Sequence, residues 1–165
     1  MPQLVVLTGP IAAGKNATAD ALTRRASRRG LTVVLIDLDD VAAMVGPPGA
    51  TASGLWFAAH LAHGALIGQW ARSAVDLILA VGPIYTEEER AALVAHLPET
   101  VAAEYVVIDA PVSLTLARAL ADPTRGRSRD PDFHHAAHAR FRVLLPDMPR
   151  RLLLDTSELD EEVAA

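Results

Sequence analysis

"GPIAAGKNAT", residues 9–18, lies between an apolar stretch, "QLVVL" (3–7), and a run, "KNATADALTRRASRR" (15–29), with Ala19, Leu22 and Ala26 at helical spacing. The order is strand, glycine turn, helix. The turn has the spacing G-x-x-x-x-G-K-[ST], with Gly9, Gly14 and Lys15 in place. Glycines at those points let backbone N–H groups converge on phosphate oxygens. The helix start adds its positive end, and a lysine at that point reaches the outer phosphates. The final position should carry a hydroxyl that helps hold Mg²⁺. Here it is Asn16, followed by Ala17. The backbone cradle does not depend on that side chain, and an Asn carbonyl oxygen can still accept a metal-bound water. The spacing therefore predicts a site for ATP built by residues 9–17, with Pro10, Ile11, Ala12 and Ala13 forming the loop.

Composition sharpens the reading. Of fifteen Lys plus Arg residues, fourteen are Arg, and Lys15 is the single lysine. By chance a lone lysine falls on that position about one time in fifteen. A compact ammonium on a flexible stem fits among phosphates where a planar guanidinium does not. The 165 residues make one domain's worth of chain, 51% apolar but only 4% aromatic, so the core is expected to be Ala, Leu and Val. No apolar run reaches the roughly 18 residues that span a bilayer. The N-terminus lacks the basic start of a signal peptide, and there are no cysteines for disulfides or thiolate metal sites. These features point to the cytoplasm. A net charge of −5 argues against a nucleic-acid partner.

The rest of the chain alternates β and α, the signature of a parallel sheet covered by helices. Strands are expected at 31–37, 75–81, 104–109 and 151–155. Helices are expected at 53–72, from Thr86 to about His96, at 112–121 and from Asp130 to about Leu145. Thr86 and Glu89 have the spacing of a capping box, and Asp130-Pro131 reads as N-cap and first helical residue. A short helical turn follows the second strand, and Ser157 is placed to cap a last short helix. No repeat or linker divides residues 1–165.

"LTGPIAAGKNATADAL" followed by "VVLIDLDD" resembles the P-loop kinases of the shikimate kinase, adenylate kinase and chloramphenicol phosphotransferase group. The resemblance implies a three-layer α/β P-loop NTPase fold, a five-stranded parallel sheet in the order 2-3-1-4-5, and the cofactors ATP and Mg²⁺. It implies an acceptor region at about 41–73 and a lid at about 122–130, where "DPTRGRSRD" is rich in Arg. Within the carboxylates of "IDLDD" it implies Asp39 as base toward the acceptor hydroxyl and Asp37, with Asn16, toward the metal. Asp40 is left as a cap for the helical turn. Asp109 ends a strand like a Walker B carboxylate and is a second metal candidate. The resemblance also places lid arginines at the transferring phosphoryl group, with Arg125 and Arg129 chosen over Arg127, and Arg118 and Thr156 at the adenine.

The acceptor is expected to be a small hydroxyl compound: an antibiotic, a nucleoside or another metabolite. Trp56, His60 and Tyr85 are the candidate pocket residues, with core packing the competing reading for Trp56 and a polar helix stripe for His60 and His63. Only Arg72 lies between residues 30 and 89, which argues against an anionic acceptor. His134, His135 and His138 are expected at the surface. Two other readings stay open: a nucleotide-binding regulatory protein, favoured by Asn16 and Ala17, and, less so, a nucleotide or polynucleotide kinase.

Overall fold

The computed structural model describes residues 1–157. β1 (Gln3–Thr8) forms the centre of a five-stranded, all-parallel sheet with β2 (Val33–Asp37), β3 (Leu77–Val81), β4 (Ala103–Asp109) and β5 (Leu152–Asp155). The strand order is β2-β3-β1-β4-β5, as expected. Register is continuous: Val5 stands beside Leu79 on one side and Glu104 on the other. Each crossover carries helix: α1 (Lys15–Ser27), then α2 (Leu38–Ala43) with α3 (Trp56–Trp70), then α4 (Glu87–Val94), then α5 (Val112–Ala121) with α6 (Pro131–Leu144).

The central strand shows why both sheet faces are covered. Leu4 and Val6 pack with Ile36, Ile78 and Ala80 against Ala59 and Ile67 of α3 and Leu93 of α4. Leu7 turns the other way and packs with Val81 and Ile108 against Ala19 of α1. A strand buried on both faces reads as an unbroken apolar run, which is what "LVVL" (4–7) is. A third cluster sets Phe141 of α6 on Val107 of β4. The core is aliphatic, as composition requires.

Capping follows the sequence closely. Thr86 Oγ1 accepts from the Glu89 amide at 3.1 Å, and Glu89 Oε2 accepts from the Thr86 amide at 2.9 Å. Asp130 accepts from the amides of Asp132 and Phe133, with Pro131 opening α6. α3 begins at Trp56 rather than residue 53 and lies hard against α4. A Cβ at Gly64 would stand 2.1 Å from the Ala92 carbonyl oxygen, and one at Gly68 2.5 Å from His96. The surface assignment for the post-lid histidines is wrong for two of three. His134 and His138 are buried, and only His135 is exposed. The helix that Ser157 was expected to cap lies outside the described residues.

Candidate active site

The loop after β1 builds a backbone cradle. Ala12 and Gly14 both take left-handed conformations, with φ of 55° and 100°. Gly9, at φ 148°, lies so close to β4 that a Cβ would sit 1.8 Å from the Ile108 carbonyl oxygen. No other residue type fits there. Lys15, the first residue of α1, folds back over the loop and donates to the carbonyls of Gly9 (3.0 Å) and Pro10 (2.9 Å). Burial lowers its pKa to about 8, although the Asp39 and Asp37 charges pull the other way. The Tyr85 hydroxyl donates to the same Gly9 carbonyl at 2.8 Å, and burial raises its pKa.

β2 delivers its carboxylates beside this loop. Asn16 Nδ2 donates to Asp37 Oδ2 at 2.8 Å, and Asp37 Oδ1 accepts from the Asp39 amide at 2.9 Å. Asp37, not Asp40, is therefore the cap of α2. Asp39 is not engaged in this way. The enclosure around its carboxyl, then the Asp37 charge, push its pKa up, while Lys15 pulls it down. Two carboxylates stand here beside the Asn16 amide nitrogen, and their hard oxygens suit Mg²⁺ held by one or two carboxylates and by substrate phosphates. A divalent cation would also relieve the repulsion between Asp37 and Asp39. Among the described residues no group of three or more His, Cys, Asp or Glu forms a metal cage.

Two cavities meet at the loop. One, of about 820 Å³, is lined by Ala12, Gly14, Ala17, Arg118, Arg125 and Thr156. Thr156 follows β5 and is buried; its hydroxyl donates to the Ala13 carbonyl at 2.8 Å. Arg118 of α5 donates to the Thr156 hydroxyl (3.1 Å) and carbonyl (2.8 Å). The other cavity, of about 780 Å³, is lined by Ile11, Lys15, Asp39, Trp56, Tyr85 and Glu89, together with Arg127, Phe133 and Arg140. Of the candidate pocket residues, Trp56 and Tyr85 both line this second cavity.

Other expectations are corrected. His60 is 2% exposed and sits beneath the second cavity rather than on its wall, with Nδ1 3.1 Å from the Trp56 carbonyl. Asp109 is held by Arg142 through two bonds of 2.6 and 2.9 Å and lines neither cavity. Its carboxylate docks α6 on the sheet. Arg129 also lines neither cavity. Arg125 borders the first, 3.2 Å from Asp122, and Arg127, which was passed over, faces the second with its guanidinium 4.4 Å above the Phe133 ring.

Arg140 and Glu89 were missed as wall residues, so the count of arginines between 30 and 89 does not describe the charge of this cavity. A signal existed for Arg140. Phe133, Ala136, Ala137 and Arg140 recur at i, i+3, i+4 and i+7, one face of α6, and all four line the cavity.

No protein-family model matches the chain, and no curated protein matches it either. Among solved structures the chain is similar to the unliganded crystal structure of a sugar kinase from Janibacter sp. HTCC2649. The TM-score is 0.65 and the identity 14%, over 99% of this chain and 90% of that one. At this identity the likeness shows a shared fold.

Proposed function

We propose that the protein is an ATP-dependent phosphotransferase that moves the γ-phosphate to a hydroxyl of a small molecule. The observation that carries this is the pair of cavities on either side of one phosphate loop, with Lys15 and Asp39 in the wall of the second. A kinase needs such a division, with nucleotide on one side, acceptor on the other and the transferring group between them. The fold shared with a sugar kinase supports the same reading.

In this scheme the base of ATP lies against Arg118 and Thr156, and the phosphates follow the amides of residues 11–17. Lys15 leaves the Gly9 and Pro10 carbonyls for the outer phosphates. Asp37 and Asn16 would hold Mg²⁺, which supplies charge neutralisation on the phosphate oxygens when bound. Asp39 orients the acceptor hydroxyl and takes its proton as the hydroxyl oxygen attacks phosphorus. A carboxyl with a raised pKa is suited to that task. Arg125 and Arg127, on the lid, add positive charge from either side. The apolar part of the wall, with Ile11, Pro48, Trp56 and Phe133, suits an acceptor with an apolar body.

The test is transfer of label from γ-labelled ATP with Mg²⁺ to a hydroxyl-compound library. Wild type is expected to give a labelled product, and Lys15→Ala about a hundredfold less. ATP binding that needs Lys15, with no labelled product from any compound, would instead establish a nucleotide-binding protein without transferase activity.

A further inference from the structure

Glu89 opens α4 as the partner of Thr86, yet only one of its carboxylate oxygens serves the cap. Oε2 accepts from the amides of Tyr85 (2.7 Å) and Thr86 (2.9 Å). Oε1 receives no hydrogen bond among the described residues. Its charged neighbours are Arg140 Nη2 at 3.7 Å and His60 Nε2 at 3.9 Å, both beyond hydrogen-bond reach. Glu89 is only 9% exposed, and it lines the acceptor cavity.

His60 completes the arrangement from below. Its Nδ1 donates to the Trp56 carbonyl at 3.1 Å, which leaves Nε2 on the far side of the ring. This Nε2 is buried with no hydrogen-bond partner and points toward Glu89 Oε1. A buried ring nitrogen left without a hydrogen-bond partner is costly in a protein interior. Nor does the cap require the charge, because Gln completes a capping box as well as Glu. A buried carboxylate that its local structure does not need calls for another partner.

We propose that Glu89 and His60 form the specificity end of the acceptor cavity. Oε1, backed by His60 Nε2, receives a hydrogen-bond donor, an amine or a second hydroxyl, carried by an otherwise apolar acceptor. Arg140, whose side chain is 63% exposed, swings aside as the donor enters. A carboxylate at the same place is repelled by Glu89. The assignment rests on the kinase reading of this cavity.

The test uses binding, which does not need catalysis. Titration calorimetry compares phenylalaninol (amine), a phenyl-substituted propanediol (second hydroxyl), phenylpropanol (no second group) and phenyllactate (carboxylate) on the wild-type protein. The amine and the diol are expected to bind about tenfold tighter than phenylpropanol, with phenyllactate weakest. In Glu89→Gln, which is expected to keep the cap and melt within a few degrees of wild type, that advantage should shrink to less than about twofold. Equal binding of all four probes, binding of none, or an advantage unchanged in Glu89→Gln overturns the proposal. Donor-selective binding without any label transfer keeps this site and removes the kinase reading instead.

Discussion

Lys15 carries the most information of any single residue in the chain. Its pKa of about 8 in the free protein, against 10.5 for an ordinary lysine, comes from burial. Bound phosphates favour the charged form, so the nucleotide complex holds the proton to higher pH. Above about pH 8 binding must therefore take up a proton, and ATP affinity should fall by up to about tenfold per pH unit. Calorimetry in two buffers of different ionisation heat, near pH 7 and near pH 9, reads this directly. Proton uptake is expected only in the alkaline pair, and none at either pH would remove Lys15 from the phosphates. Asp39 offers a second test at this scale. Asp39→Asn should reduce the transfer rate by about two to four powers of ten with ATP affinity little changed. The loop residues were legible in the sequence because their chemistry is local: glycines, one lysine and a helix start within ten positions. The use of Asp37 was not. Its oxygens accept one hydrogen bond each, from Asn16 and from the Asp39 amide, a matter of side-chain direction that spacing does not encode.

At the scale of elements, α3 and α4 make the sharpest prediction. Gly64 and Gly68 let the two helices approach so closely that a methyl group at Gly64 would meet the Ala92 carbonyl at 2.1 Å. Gly64→Ala should destabilise the fold by about 2 kcal/mol through overpacking. Gly46→Ala, where nothing lies within 4 Å, should stay within about 0.5 kcal/mol. Denaturant midpoints of the two variants decide the matter, and similar midpoints would show that α3 and α4 can part without loss. Helix starts were readable from caps, since a capping box and an Asp-Pro pair act within four residues. The closeness of two helices about thirty residues apart in the chain was not, because it depends on the sheet beneath them.

The whole molecule assembles its cavities from distant segments. Arg118 and Thr156, far apart in sequence, are bonded to each other and reach the loop through Ala13. ATP with Mg²⁺ at about a hundredfold over its dissociation constant should add roughly 2.7 kcal/mol and raise the melting temperature by about 5–10 °C. Lys15→Ala should abolish that shift, and Arg118→Ala should reduce it while leaving unliganded melting within a few degrees. An undiminished shift in Arg118→Ala would move the base elsewhere. The sequence by itself determined the alternation of strands and helices, the parallel sheet, the glycine loop between β1 and α1, and the caps of α4 and α6. Each of these depends on residues within about a dozen positions of one another, where periodicity and turn chemistry act. Only the tertiary structure decided that Asp109 is bound to Arg142, that His60 lies under the wall of the second cavity and that Arg127, Arg140 and Glu89 stand on it. Those facts depend on which helix face the sheet order and close packing turn inward, and on side-chain pairing between segments far apart in sequence.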